Sequence, residues 1–246
     1  MYNNETIINN AFTKDELDKF KYQGGVFYDM NGPLNRVLIK PMIDTIKSKI
    51  DFESVKTILD IGSRDGCQSL ELNRYFPNAT IYAFEPTPSS YNYTKENTKN
   101  ISNIKVLPYA VSSYNGKTKF YEVYNGNVGA SSLLKTSSHP RASGWRQREI
   151  EVECIHLENW LIENNISNVD IAWVDVQGAE KIVFESFGKY LNSVKVIATE
   201  VGNVPLYKGA IVKPELDSIL SEFECVSSTL VGNNTEVDAV YLNKNL

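Results

Sequence analysis

The sequence has little of what would declare a covalent or metal-based scaffold: its 246 residues include three cysteines and two histidines. Cys67, Cys154 and Cys225 are an odd count and lie far apart, so they form neither a disulfide framework nor a zinc spacing. No run approaches the roughly 18 apolar residues that cross a bilayer. The opening MYNNETIINNAF lacks the basic start and apolar centre of a signal peptide, which points to a soluble, cytoplasmic protein with no membrane span. A basic excess is also missing. Lys and Arg number 25 against 30 Asp and Glu, for a net charge of −5, and that balance offers no footprint for nucleic acid. What is present is 42% hydrophobic residues with 14 glycines, an ordinary globular composition that excludes wholesale disorder.

From residue 57 onward, short apolar runs alternate with helix-like stretches. Thr57–Ile61, Thr80–Phe84, Ile104–Leu107, Ile171–Val174 and Val194–Thr199 read as strands. Helices are expected up to Phe76, over Pro88–Asn100, from about Ala179, and over Pro214–Glu222. The strands are apolar throughout rather than alternating, as suits a parallel sheet covered on both faces. Phe223–Ser228 and Val237–Leu242 flank the turn sequence Gly232-Asn233-Asn234-Thr235 and predict an antiparallel hairpin at the C-terminal end.

Two regions stand outside that rhythm. Thr13-Lys14-Asp15-Glu16 reads as a capping box, and Leu34, Leu38, Met42, Ile46 and Ile50 suggest a helix kinked at Pro41. Residues 1–54 are therefore expected to form a helical cap, serving substrate choice or contacts between identical chains, ahead of a domain over 55–246. Residues 116–156 are expected to be an inserted, substrate-facing loop, with strands at Lys119–Val123 and Glu149–Cys154 around a polar stretch holding His139, Pro140, Trp145 and Arg146. Along the second strand Ile150, Val152, Cys154 and His156 share a face, which makes His156 a packed residue.

The most informative local pattern is Asp60-Ile61-Gly62-Ser63-Arg64-Asp65-Gly66, directly after a buried strand and opening a helix. Gly62 would let the backbone approach a ligand where a Cβ would clash. Glu85, at the end of the next strand, can accept both hydroxyl protons of a ribose. A dinucleotide is disfavoured, because the central glycine of Gly-x-Gly-x-x-Gly is missing and Asp65 sits where a pyrophosphate would lie. S-adenosylmethionine carries no phosphate, and its amino group suits a nearby acid such as Asp60.

Asp60-x-Gly62-x-x-x-Gly66 with Glu85 is similar to the class I methyltransferase pattern. Gly129-Ala130-Ser131-Ser132-Leu133-Leu134, Leu157-Glu158-Asn159-Trp160, Asp175-Val176-Gln177-Gly178-Ala179-Glu180, Glu200 and Leu206-Tyr207-x-Gly209 follow in order. Together they resemble the FkbM family of S-adenosylmethionine-dependent methyltransferases over about residues 55–245. The resemblance implies a Rossmann-like α/β fold: a seven-stranded, mostly parallel sheet with a C-terminal antiparallel hairpin and helices on both faces. It implies methyl transfer to oxygen on a sugar, glycan or glycosylated metabolite. Carried over by position, Asp60, Gly62, Ser63 and Gly66 would cradle the methionine part, with Asp175 beside them. Glu85 would hold the ribose, and the Ala110-Val111-Ser112 turn would line the adenine.

Methyl transfer is an in-line displacement, so the protein must mainly align the acceptor and take up its proton. Asp175 and Glu200 follow strands, at the edge where open α/β sheets bind ligands. Either Asp175 acts as base with Glu200 orienting the acceptor, or the two hold Mg²⁺ or Mn²⁺ with Asn203 as third ligand. His139 is an alternative base. Trp145 and Arg146 would stack on and bind a sugar, and Glu180 would contact the acceptor or serve as a first-turn helix acid. The rival readings are an N-methyltransferase, a small-metabolite methyltransferase, and a nucleoside-binding module without turnover.

Overall fold

A computed structural model describes residues 39–245. The Thr13–Glu16 capping box, Leu34 and Leu38 lie outside the described residues. The first described helix, α1, spans Lys40–Lys47 and has Pro41 in its first turn. There the missing N–H costs nothing, so Pro41 starts this helix and does not kink it. Its buried residues, Met42, Ile43 and Ile46, recur at helical spacing.

The main sheet contains β1 (Thr57–Ile61), β2 (Thr80–Phe84), β3 (Ile104–Leu107), β7 (Ile171–Val174), β8 (Val196–Gly202), β9 (Phe223–Val231) and β10 (Glu236–Asn243). Their order is β3-β2-β1-β7-β8-β10-β9, with only β10 antiparallel to its neighbours. The order reverses at β1/β7, which opens a crevice at the C-terminal strand ends. Two apolar layers sandwich the sheet. Ile58, Ile81, Trp173 and Val240 pack with α1 and with Leu72 of α2 (Cys67–Tyr75). Leu59, Phe84, Val174 and Val201 pack with α4 (Leu157–Glu163), α5 (Glu180–Ser186) and α6 (Lys213–Ile219). The helix α3 (Pro88–Thr98) lies against α2 through Thr94 and Thr98, beside Gly66.

Residues 110–156 build a second sheet of three strands, β4 (Ala110–Ser112), β5 (Gly116–Asn125) and β6 (Arg146–His156), in the order β4-β6-β5. Ala110-Val111-Ser112 is thus a strand parallel to β6 and not a turn. Three residues are too few to show periodicity, so only the long-range partner reveals it. Likewise α4 caps β6 directly, and β8 begins two residues later than the apolar run at Val194 suggests. Among the described residues, no helix is long and apolar enough to cross a membrane.

Candidate active site

The two-residue side-chain period of strands brings the acids together. Ile58, Trp173, Ala198 and Val240 face the α1–α2 layer. Asp60, Asp175, Glu200 and Asp238, each two residues away along its own strand, share that face at the C-terminal strand ends. Glu200 is the register partner of Asp238. Burial is their shared cost. It pushes Asp60 and Asp238 up to about 7, and the charge of Asp175 adds to both. Asp175 is raised by burial, against a hydrogen bond from Gln177 and the nearby Arg64 charge. Glu200 is raised further, by burial and then by the charges of Asp175, Glu236 and Asp238. Both members of the pair are thus raised, because two like charges this close resist being ionised together.

A cavity of about 240 Å³ is walled by Phe84, Tyr109, Ala110 and Val111. Glu85, Asp175, Gln177, Glu200, Glu236 and Arg141 also line it. Glu85 is 6% exposed. It accepts the Arg64 N–H at 3.0 Å, the Thr87 N–H at 2.9 Å and the Thr87 hydroxyl at 2.6 Å. Burial still pushes it up to about 7. A carboxylate offers about four lone-pair positions, so these three donors leave about one for a ligand. A ribose would donate one hydroxyl here, rather than the two expected from the sequence.

Gly62 takes a left-handed φ of +95°, and a Cβ on it would lie 1.9 Å from the Asp175 carbonyl oxygen. The close approach that demands glycine is thus to β7. Gly66 opens α2 with φ +81°, and a Cβ there would press on Thr94 at 3.0 Å, so its role at this position is helix packing. Asp60 is fully buried, lines neither of the two cavities, and accepts the Ser69 hydroxyl. Ser63 lines a second cavity of about 290 Å³ together with Asp65, Gln68, Trp173 and Asp238. The Ser63 hydroxyl is buried without a hydrogen-bond partner. Gly62, Arg64, Asp175 and Glu200 belong to the walls of both cavities.

Several expected residues sit elsewhere. His139 is not part of either cavity wall, and its Nδ1 accepts the Arg141 N–H at 3.3 Å, capping a local turn. Its neighbour Arg141 enters the cavity instead. Trp145 leans on Tyr207 with ring centroids 6.0 Å apart, and Arg146 is exposed; neither lines the two cavities. Glu180 folds back to accept the Gly178 N–H at 3.0 Å and faces a small void beside Tyr207. Burial pushes its carboxyl up to about 7. His156 is half-buried at the end of β6, not fully packed. Asn203 is exposed and donates to the Asn234 carbonyl at 2.9 Å. The Asp175, Glu200 and Asn203 cation site gains no support: Asn203 is engaged with Asn234, and among the described residues no group of three or more His, Cys, Asp or Glu could hold a metal ion.

The sequence reading assigned no role to Gln177, Tyr207, Glu236 or Asp238, yet these, with Arg141, line or support the site. Gln177 donates to Asp175 at 2.8 Å and to Glu200 at 3.2 Å. Arg141 pairs with Glu236 at 2.7 Å and donates to the Gly232 carbonyl and the Thr235 hydroxyl, tying the inserted loop to the C-terminal hairpin. The alternation Glu236-Val237-Asp238-Ala239 signals two acids on one face of β10. The register that aims them at Glu200 is a long-range property.

A switch-point crevice with a strand-end acid after β2, a half-buried acid just after β7 and another within β8 goes with an S-adenosylmethionine-dependent methyltransferase, and the family match below shows that class. The chain belongs to the FkbM methyltransferases, matching the methyltransferase FkbM domain over residues 60–228. The 2-O-methyltransferase NoeI of Sinorhizobium fredii (strain NBRC 101917 / NGR234) is 29% identical over 178 residues, covering 69% of this chain and 73% of that protein. Methyltransferase 1 of Beauveria bassiana (strain ARSEF 2860) is 28% identical over 151 residues, 56% of this chain and 61% of its own length. Among solved structures, Methanococcus jannaschii fibrillarin pre-rRNA processing protein aligns with a TM-score of 0.49 at 13% identity, over 80% of this chain and 70% of that one.

Proposed function

We propose that this methyltransferase acts on a hydroxyl of a neutral, hydroxyl-rich acceptor, a sugar, glycan or glycosylated metabolite. The observation that carries the reading is the half-buried Asp175–Glu200 pair, bridged by one amide, at the wall common to both cavities. Tyr109, Ala110 and Val111 would flank the adenine and Glu85 would take one ribose hydroxyl. The tail would pass Gly62 toward Ser63 and Gln68. Bound S-adenosylmethionine supplies a methyl carbon already activated by its sulfonium. The protein's own task is to orient the acceptor oxygen and receive its proton. Asp175, whose carboxyl burial makes more basic than an ordinary aspartate, suits that role. Glu200 beside it orients the acceptor oxygen. Arg141 already pairs with Glu236 and donates to Gly232 and Thr235, so its charge is engaged by the protein's own acceptors. The 2-O-methyltransferase name of the Sinorhizobium relative supports the choice of oxygen. Methyl-labelled cofactor incubated with neutral glycosides, amines and sugar phosphates tests the proposal. Label in the glycosides supports it, whereas label confined to amines, or cofactor binding with no transfer across a broad panel, sinks it.

A further inference from the structure

Two segments meet here that nothing in the fold alone requires to meet. Gln177 has a left-handed φ of +57°, rare for a residue with a side chain, and Gly178 follows at φ +93°. A Cβ on Gly178 would come within 2.8 Å of the Tyr207 ring, so the glycine makes room for the tyrosine. Tyr207 is buried, and its single hydroxyl hydrogen is shared between the Gln177 side-chain oxygen at 2.8 Å, the nearer acceptor, and the Ala130 carbonyl at 3.1 Å. The other end of the same amide is the NH₂ that bridges Asp175 and Glu200.

We propose that Tyr207 is a positioning residue, acting through Gln177 on Asp175 and Glu200. An amide has a donor end and an acceptor end of nearly equal size, and its orientation follows its partners. The Tyr207 hydroxyl satisfies the oxygen and so commits both N–H groups to the carboxyls. The shorter of the two bonds goes to Asp175. Two side-chain torsions are thereby fixed.

The inference rests on the reading of this pair as the proton-handling centre, but its test needs no acceptor. Other charged groups also face the pair: Asp60 from β1, Arg64 from the loop after it, Arg141 from the insertion, Glu180 from α5, and Glu236 and Asp238 from β10. All of them are left unchanged. The full chain, carrying ¹³C-labelled aspartate and glutamate carboxyls, is titrated by NMR as wild type, Tyr207→Phe, Gln177→Asn and the double variant. Phenylalanine keeps the ring packing, and asparagine tolerates the left-handed backbone but is too short to bridge. Tyr207→Phe is expected to raise the Asp175 midpoint by about half a unit or more, because a hydrogen bond to the charged form is weakened. Gln177→Asn raises it further, and the double variant matches Gln177→Asn alone. An unmoved midpoint in Tyr207→Phe, or an equal extra shift on top of Gln177→Asn, overturns the proposal. If Tyr207→Phe does not fold, the wild-type Gln177 side-chain amide signals decide. They must move as pH passes the Asp175 midpoint and show contact with a slowly exchanging Tyr207 hydroxyl; flat signals overturn it. An acceptor other than a sugar would sink the substrate assignment and leave these outcomes intact.

Discussion

Glu85 shows how a single residue serves two purposes. Its carboxylate holds the backbone of Arg64 and Thr87 and presents its remaining lone pair to the cavity. Only the ionised form accepts a ligand hydroxyl without competition. With the carboxyl pushed up to about 7, affinity for S-adenosylhomocysteine should therefore rise between about pH 6 and 8. In Glu85→Ala, calorimetry should show binding weaker by about 1.5–3 kcal/mol and no rise with pH. Equal affinity in the variant would remove Glu85 from the site. Gly62→Ala should lose stability on the order of 3 kcal/mol, because the new methyl meets the Asp175 carbonyl and φ is positive. An unchanged melting temperature would contradict that packing. The pattern Asp60-x-Gly62 with Glu85 was legible because a tight turn needs glycine and a strand end needs its acid within a few residues. Gln177 and Tyr207, 30 residues apart, were visible as a motif but not as a contact. Their meeting depends on how two loops pack.

At the level of elements, the inserted sheet is fastened to the main frame at separate points. The Ser132 hydroxyl donates to the Val176 carbonyl, Ser137 pairs with Leu206, and Arg141 grips the turn before β10. Arg141→Met should free residues 133–145 while leaving the cofactor end of the cavity in place. Hydrogen exchange in that segment should quicken about tenfold, with affinity for S-adenosylhomocysteine little changed. Unaltered exchange would mean that the remaining contacts hold the roof alone. The strands of the main sheet were readable because their apolar runs are buried on both sides. The short β4, the seven-residue α4 and the exact limits of β8 were not, since each is defined by a partner distant in sequence. His139 and Trp145 drew attention by residue type. The fold turned them toward a local cap and a ring contact.

For the molecule as a whole, buried acids set the response to pH. Glu71 is 0% exposed with neither carboxyl oxygen hydrogen-bonded, and burial pushes it up to about 8. Asp60, Glu85, Glu180 and Asp238 are pushed to about 7. Between the ordinary carboxyl range and these values, the folded chain binds protons that the unfolded chain has released. Stability is therefore fully present below about pH 4 to 5 as far as these groups are concerned, and it falls as pH rises toward 8. The melting temperature should be higher at about pH 6 than at pH 8. In Glu71→Gln that gap should narrow, by an amount on the order of 2 kcal/mol over those two units. A gap of the same size in the variant would show that Glu71 is not the group responsible. Because the carbonyl of Asp175 occupies the space a side chain would need at residue 62, the first and the seventh strand end in a single knot. Whatever a cofactor does to the one loop on arrival, the Asp175 carboxyl on the other must travel with it.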